Sequence, residues 1–134
     1  RLDARLQKMM LGIEERTIHN TRLNFTVAIN YGGRDELRRA MMRVAQDVAA
    51  GRLAADAIND AVIAAHLDTA GMPDPDLVIR TSGETRTSNF LPWQAAYAEY
   101  EFTSTLWPDF SPTELAQILA CFGTRERRFG GAQV

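Results

Sequence analysis

The chain of 134 residues is 46% hydrophobic and 24% charged, and its formal net charge is −2. These values are ordinary for a globular protein. The near-neutral charge excludes a global attraction to nucleic acid or acidic membranes, so any anion site must be local. The single cysteine, Cys121, excludes an internal disulfide, and no Cys/His cluster suggests zinc or a redox centre. No apolar run approaches the length of a transmembrane helix.

The N-terminal part of the chain predicts a helix followed by a strand. Apolar residues recur at helical spacing over residues 2–13, which predicts a helix over residues 1–19. Across residues 23–30, apolar and polar residues alternate, a pattern typical of a strand with one buried face. This strand leads directly into a glycine turn at residues 31–34, which opens the next helix.

Two helices and a second strand are predicted next. Apolar residues at helical spacing predict a helix over residues 37–48, which Gly51 ends, and a further helix over residues 58–65. The short apolar run at residues 77–79 has the length of a buried strand. The order strand, helices, strand predicts that residues 23–30 and 77–79 form a parallel pair joined by a right-handed crossover. The predicted fold class is therefore α/β, with a parallel sheet flanked by helices.

A polar loop with two arginines follows the strand at residues 77–79. Arg80 and Arg86 flank a segment rich in hydroxyl groups, and further hydroxyls follow at Thr87 and Ser88. Loops at the carboxyl ends of parallel strands commonly bind anions, and a guanidinium can donate two parallel hydrogen bonds to phosphate, so the pattern favours a phosphate or diphosphate site. The alternative is that the arginines pair with nearby carboxylates. These carboxylates are Asp74, Asp76 and Glu84.

The C-terminal part predicts a short helix, a short strand and a longer helix. Residues 93–97 predict the short helix, and residues 100–103 predict the strand. Ser111 as N-cap, Pro112 at the first helical position and Glu114 three residues after the cap mark the start of the longer helix. This combination is a strong helix-start signal.

Four motifs occur along the chain, and their order and spacing are informative. They are NYGGR at residues 30–34, DLVIRTSGETRTSNFLPWQAAYAE at 76–99, LWPDF at 106–110 and RERRFGG at 125–131. Together they resemble the motifs of cis-prenyltransferases, the undecaprenyl diphosphate synthase family, over nearly the whole chain from residue 17 onward. The resemblance implies that residues 1–134 form the C-terminal part of a single catalytic domain with the parallel-sheet α/β fold of that family.

The resemblance also implies a reaction and its site residues. The enzyme would condense isopentenyl diphosphate with an allylic diphosphate, such as farnesyl diphosphate, into a cis-polyprenyl diphosphate for lipid-carrier synthesis. Carried over by position, Arg80, Arg86 and Ser88, with Thr87 beside them, bind the isopentenyl diphosphate. Glu99 corresponds to a carboxylate that helps to hold Mg²⁺.

The basic tail and the corner at Trp107 suggest an assembly. Arg128 and Gly130 match the family's Arg-x-Gly element, which reaches the active site of the partner subunit in a homodimer. We therefore expect a homodimeric, cytoplasmic enzyme that contacts membranes only peripherally, through its lipid product, and binds no nucleic acid.

Two departures from the family bear on what this chain does. Pro92 stands where the family often has leucine, and it is expected to alter the first turn of the helix at 93–97 and so shift Glu99. The family's opening element, of the type D-G-N-R-R-W, does not occur in this sequence. Catalytic residues are therefore expected upstream of Arg1, and the chain alone is expected to be inactive.

Two other functional classes are considered. The chain could be a non-catalytic diphosphate-binding subunit of a heteromeric prenyltransferase, but such a subunit would be free to lose Arg80, Arg86, Ser88 and Glu99, and all four are present. It could instead be an unrelated phosphate-binding or nucleotide-binding α/β module. Neither G-x-x-x-x-G-K-[ST] nor G-x-G-x-x-G occurs in the sequence, which disfavours a nucleotide site.

Overall fold

The computed structural model describes residues 2–125, which fall into two compact units divided after Asn30. The first unit contains helix α1, Ala4–Thr17. Asp3 is the N-cap of α1, since its carboxylate accepts a hydrogen bond of 2.8 Å from the Arg5 amide. The predicted N-terminal helix is thus confirmed, with its first residue set by this cap.

Residues 23–30 do not form the predicted strand. No regular element occurs there, and the side chains of Leu23 and Phe25 are 77% and 84% exposed. Alternation shows which side chains could share a buried face, but a strand is stable only when a neighbouring strand binds its N–H and C=O groups. Within residues 2–125 no strand pairs with this segment. The predicted parallel pairing of residues 23–30 with residues 77–79 is therefore wrong.

The second unit begins with helix α2, Gly33–Ala49. Two acidic residues lie in its first turn, where the helix dipole favours negative charge. Gly51, with φ +70°, follows its end as predicted, because a left-handed residue commonly terminates a helix. A 3₁₀ helix, Ala55–Ala57, and helix α3, Asp60–Ala65, come next. The second predicted helix of this region is thus confirmed but is only six residues long.

Two strands form a parallel sheet in the second unit: β1, Leu77–Arg80, and β2, Glu99–Phe102. The register pairs the first residue of one strand with the first residue of the other. Side chains alternate along each strand, and paired residues of parallel strands share a face, so the sheet divides its side chains into two sets. One set is Val78, Arg80, Tyr100 and Phe102, and the other is Leu77, Ile79, Glu99 and Glu101. The predicted α/β class, a parallel sheet with flanking helices, is confirmed in partial form.

Helix α4, Pro112–Gly123, begins where the sequence predicts. Ser111 is its N-cap, and the Ser111 hydroxyl oxygen accepts a hydrogen bond of 3.1 Å from the Glu114 amide. Pro112 lies in the first turn, where backbone N–H groups have no acceptor within the helix, so the N–H that proline lacks is not missed as a hydrogen-bond donor. Ile118 is buried and anchors the helix on the unit.

Residues 92–97 form consecutive turns, so the predicted helix at 93–97 is wrong. Five helical residues are too few to be stable without support from tertiary contacts. Here the tertiary contacts favour turns, because the side chain of Gln94 is buried and donates its hydrogen bonds to Glu36. The expected effect of Pro92 on a first helical turn therefore does not apply. Pro92 instead occupies space next to Gly33.

The core of the second unit is small and contains both apolar and polar residues. Its buried apolar side chains, among the described residues, are Ala40, Leu67, Ala95 and Ile118. Glu36 and Gln94 are as deeply buried, at 0% and 3% exposure. In the part of the chain described here, no helix has the length and apolar character needed to cross a membrane.

Candidate functional site

A cavity of about 360 Å³ lies beside β1 and the loop that follows it. Arg80 reaches it from the end of β1, and Arg86 and Thr87 reach it from the loop, so the structure brings these three predicted site residues together. Val78, Phe90, Tyr100 and Phe102 also line the cavity and give it an apolar part. The cavity therefore combines two guanidinium groups with a surface suited to a hydrocarbon group.

Ser88, the fourth residue predicted to bind diphosphate, is close to the cavity but does not line it. The Ser88 hydroxyl lies 3.5 Å from Nη2 of Arg80, which is longer than a typical hydrogen bond. Ser88 has φ +50°, so its backbone is in the left-handed region. The contact between the Ser88 hydroxyl and Arg80 is therefore weak in this structure.

Arg86 forms an ion pair with Glu84, so the pairing considered as an alternative does occur for this arginine. The Arg86 side chain is 70% exposed. A guanidinium has five N–H donors, and one carboxylate contact leaves donors for a second anion. The ion pair is therefore compatible with phosphate binding and also holds the guanidinium at the cavity.

The turn at residues 81–83 is hydrogen-bonded through its backbone to the segment that follows β2. The Ser82 amide donates to the Thr105 carbonyl at 2.8 Å, and the Gly83 amide donates to the Thr103 carbonyl at 2.9 Å. Amide groups of strand-end loops often bind anions directly, but these two amides are already engaged. An anion here would be bound mainly by side chains.

The loop that carries Arg86 is attached to the N-terminus of α2 through Asn89. The Asn89 carbonyl accepts a hydrogen bond of 2.9 Å from the Gly33 amide, and its side-chain oxygen accepts one of 2.8 Å from the Arg34 amide. A Cβ at Gly33 would lie 2.1 Å from Cδ of Pro92. The glycine turn at residues 31–34 thus serves a close approach of two backbones.

Glu36 forms a buried hydrogen-bond network behind this loop, which the sequence pattern did not reveal. Its carboxylate accepts hydrogen bonds from the Tyr31 hydroxyl at 2.5 Å, from the Asp68 amide at 2.8 Å and from Nε2 of Gln94 at 3.1 Å. Burial, together with hydrogen bonding to Glu36, raises the pKa of the Tyr31 hydroxyl. Nε2 of Gln94 also donates to Thr69 at 2.9 Å. The network joins α2, the segment after α3 and the turns at 92–97.

Glu99, the predicted magnesium ligand, lies on the face of the sheet opposite to Arg80. Its Oε2 accepts a hydrogen bond of 2.9 Å from Nη1 of Arg125, and Glu101 accepts one of 2.5 Å from Nη2 of the same guanidinium. The carboxylates of Glu99 and then Glu101 raise the pKa of Arg125. In this structure Glu99 is therefore not assembled with Arg80 and Arg86 in one cavity.

The donor set at Glu99 suits Mg²⁺ in type but not in number. Magnesium prefers carboxylate oxygens and is usually held by one or two carboxylates together with phosphate oxygens. Glu99 and Glu101 supply such oxygens on one face. Within residues 2–125, no group of three metal-binding side chains is present. Further ligands would have to come from a bound substrate or from outside these residues.

Arg128 and Gly130, the remaining predicted site residues, lie outside the described residues. Their role as an arm that reaches a partner subunit stays a prediction.

The fold and the cavity define a class of protein, an α/β protein with a basic site after a parallel strand. Residues 1–130 match the profile of the Prenyltransf family, whose description is undecaprenyl diphosphate synthase, and the chain belongs to this family. The resemblance stated from the four motifs is thus confirmed, and an unrelated nucleotide-binding module is excluded.

Curated relatives match nearly the whole of this chain at about 50% identity. The isoprenyl transferase of Brucella suis biovar 1 (strain 1330) is 52% identical over 132 residues, which cover 98% of this chain and 52% of the relative. The isoprenyl transferase of Agrobacterium fabrum (strain C58 / ATCC 33970) is 50% identical over 129 residues, covering 96% of this chain and 52% of the relative. The chain thus spans about half the length of the curated relatives it matches.

Solved structures show the same fold. A crystal structure of lavandulyl diphosphate synthase from Lavandula x intermedia, in complex with dimethylallyl diphosphate, has a TM-score of 0.92 and 38% identity, covering 98% of this chain and 56% of that one. A probable undecaprenyl diphosphate synthase from Campylobacter jejuni has a TM-score of 0.79 and 36% identity, covering 98% of this chain and 59% of that one. The fold of this chain is therefore that of prenyl diphosphate synthases.

Proposed function

We propose that this chain carries the isopentenyl diphosphate subsite of a prenyltransferase that builds a cis-polyprenyl diphosphate from an allylic diphosphate such as farnesyl diphosphate. The observation that supports the proposal most directly is the shared cavity of Arg80, Arg86 and Thr87 in a member of an undecaprenyl diphosphate synthase family. The diphosphate would accept hydrogen bonds from the two guanidinium groups, which suit phosphate oxygens in geometry and charge.

The apolar part of the cavity suits the other end of the same substrate. Val78, Tyr100 and Phe102 share a face of the sheet with Arg80, so a substrate held by its diphosphate would place its isopentenyl group against them. Holding the substrate at both ends orients its double bond toward the carbon it must attack, which lowers the entropic part of the barrier. The allylic C–O bond breaks, diphosphate leaves, a C–C bond forms and a proton is lost.

The leaving diphosphate needs positive charge placed in advance. Mg²⁺ would supply that charge when bound, and Glu99 is the residue of this chain proposed to contribute to holding it. Glu99 binds Arg125 in this structure, so a bound Mg²⁺ would have to displace this guanidinium or share the carboxylate with it.

The proposal includes a homodimer in the cytoplasm that contacts membranes through its product. Two observations support the dimer. The first is Trp107, which is 73% exposed and stacks on Phe110 with ring centroids 6.2 Å apart. Exposed aromatic side chains are enriched at protein interfaces. The second support is the Arg128-Phe129-Gly130 match to the family's inter-subunit element.

The test is to substitute Arg86→Ala in the intact protein and measure binding of each substrate separately. Loss of a charge-assisted contact should weaken binding of isopentenyl diphosphate by roughly ten- to a hundredfold. Binding of the allylic diphosphate should change much less, because Arg86 is assigned to only one of the two substrates. Isothermal titration calorimetry with farnesyl diphosphate and with isopentenyl diphosphate distinguishes the two effects.

Arg38→Ala is the matched control, since Arg38 is also an exposed arginine paired with one carboxylate, Asp35. It lies on α2 and not in the cavity, so neither substrate should bind more weakly. An equal loss of affinity for both substrates in the Arg86→Ala protein, or no loss for either, would contradict the assignment.

A further inference from the structure

The turn at Ser82 and Gly83 is held in shape by the segment that follows β2. Both residues are in the left-handed region, with φ +71° and φ +69°, a conformation that disfavours a residue with a side chain, such as serine. Their amides donate to the carbonyls of Thr105 and Thr103, and the Thr103 amide donates to the Arg80 carbonyl at 2.9 Å. The position of the two threonines therefore sets the path of the chain after Arg80.

One carboxylate fixes both threonines. Oε1 of Glu114 accepts a hydrogen bond of 2.6 Å from the Thr103 hydroxyl and one of 3.0 Å from the Thr105 hydroxyl. The Thr105 amide also donates to the Thr103 hydroxyl oxygen at 3.2 Å, which ties the threonines to each other. All three residues are half-buried. Hydrogen bonds to an ionised carboxylate are stronger than neutral ones, particularly where water is partly excluded.

The position of Glu114, three residues after the N-cap of α4, predicts a hydrogen bond to the N-cap amide, but the structure shows other contacts for its carboxylate. Three residues after an N-cap, a glutamate commonly reaches back to the N-cap amide and stabilises its own helix. Here the Ser111 hydroxyl caps the helix, while the observed contacts of the Glu114 carboxylate are with the two threonines. The carboxylate thus links α4 to the segment after β2, which in turn binds the turn beyond β1.

We propose that Glu114 is a positioning residue of the diphosphate subsite. It holds Thr103 and Thr105, these hold the turn after β1, and the turn sets the direction in which Arg80 enters the cavity. The inference rests on the proposed function, because it assumes that the cavity binds isopentenyl diphosphate. Glu114 itself does not line the cavity, so it acts through the turn and not by contact with the substrate.

The experiment compares Glu114→Ala and Glu114→Gln in the intact protein by steady-state kinetics with both substrates. Glu114→Ala should raise the KM for isopentenyl diphosphate about tenfold and leave the KM for the allylic diphosphate nearly unchanged. Glu114→Gln retains an acceptor oxygen without the charge, so its KM for isopentenyl diphosphate should lie between that of the unsubstituted protein and that of Glu114→Ala. Thr105→Val should also raise this KM, whereas Thr105→Ser, which keeps the hydroxyl, should restore the original value.

Ser111→Ala is the control for a purely structural effect. It removes the N-cap of α4 and lowers stability, but it leaves the carboxylate of Glu114 in the chain. If the KM rises as much in the Ser111→Ala protein as in the Glu114→Ala protein, the effect belongs to the stability of α4, and the inference is wrong.

Amide hydrogen exchange tests the link without substrate. Exchange at Ser82 and Gly83 should become faster in Glu114→Ala, and exchange within β1 should not. Unchanged exchange at both amides would overturn the inference. Arg86→Ala distinguishes failure of the proposed function from failure of the positioning role. If Arg86→Ala leaves isopentenyl diphosphate binding intact, the proposed function is wrong. If Arg86→Ala weakens this binding but Glu114→Ala has no effect, only the positioning role is wrong. Should Glu114→Ala not fold, Thr103→Val and Thr105→Val decide the question by the same measurements.

Discussion

His66 joins the end of α3 to α2 and makes the stability of this unit depend on pH. Its Nδ1 lies 2.7 Å from the Val62 carbonyl, and its Nε2 lies 2.9 Å from Oδ2 of Asp47. The Val62 carbonyl, and then Asp47, raise the pKa of His66. Arg43 opposes this shift, and Arg52 shares the Asp47 carboxylate. The protonated imidazole, which has two N–H donors, satisfies both acceptors.

The folded-state pKa of His66 lies above the unfolded value of about 6.5, and this fixes the direction in which the free energy of unfolding changes with pH. The stabilising contribution is fully present below the unfolded pKa and is lost as the pH rises through the folded one. We therefore expect the free energy of unfolding to fall as the pH rises above about 6.5 and through the folded-state pKa of His66. The change should be small, because the pair is close to the surface. Urea denaturation at several pH values measures this change.

Two variants test the assignment of this pH dependence. His66→Gln cannot titrate and should flatten the stability profile over the pH range in which His66 titrates. Asp47→Asn removes one of the two acceptors but leaves the Val62 carbonyl, so it should reduce the slope without abolishing it. A profile that keeps its slope in both variants would show that another group is responsible.

At the level of elements, the contact between α2 and the loop at 86–92 depends on a glycine. A Cβ at Gly33 would lie 2.1 Å from Cδ of Pro92 and 3.0 Å from the Asn89 carbonyl oxygen. Because overpacking typically costs about 1–3 kcal/mol, Gly33→Ala should lower the free energy of unfolding by that amount. It should also weaken isopentenyl diphosphate binding, since the displaced loop carries Arg86. Urea denaturation and calorimetric titration measure the two effects.

Gly123→Ala is the matched control for this substitution. Gly123 also lies at a helix end, but among residues 2–125 no atom outside its chain neighbours and its own helix backbone lies within 4 Å of the Cβ position. Alanine is favoured over glycine in helices by up to about 1 kcal/mol, so this variant should not lose stability. Equal destabilisation in both variants would show that the contact with Pro92 is not the cause.

The elements that the sequence predicted correctly are those determined by local interactions. Helix α4 is an example, since Ser111 and Pro112 define its start through contacts within one turn. The strand at residues 23–30 failed because a strand depends on backbone partners that its own residues do not specify. The helix at 93–97 failed because the buried contact of Gln94 with Glu36 lies 58 residues away in sequence.

The same distinction applies to the site. Arg80, Arg86 and Thr87 could be predicted to meet because a strand and the loop after it are continuous in the chain. The separation of Glu99 from Arg80 could not, because it follows from the strand register, which pairs Glu99 with Leu77. Glu114 was identified as a helix-start residue, but its contacts with Thr103 and Thr105 required the fold.

For the molecule as a whole, the exposed apolar residues of the first unit affect behaviour in solution. Phe25 and Leu23 are 84% and 77% exposed, and exposed apolar surface favours association. Phe25→Ser should therefore lower light scattering and dye binding of the 134-residue chain at a given concentration. The thermal midpoint should hardly change, since substitutions of exposed residues usually alter stability by less than about 0.5 kcal/mol.

Thr26→Ser is the control for this prediction, because Thr26 is exposed in the same segment but polar. Scattering and dye fluorescence should remain at the level of the unchanged chain. If Phe25→Ser also leaves both signals unchanged, association does not involve this segment.

The left-handed residues of the site loops determine how these loops can vary between relatives. Ser82, Ser88, Asn89 and Leu91 all have positive φ, although glycine and asparagine adopt that conformation most easily. At most positions in a protein, glycine is among the least favourable replacements. At these positive-φ positions glycine is instead the replacement that favours stability most, and β-branched residues are the least favourable. We therefore expect substitutions in these loops to favour small residues and residues with amide side chains, even at positions where no side chain contacts a ligand.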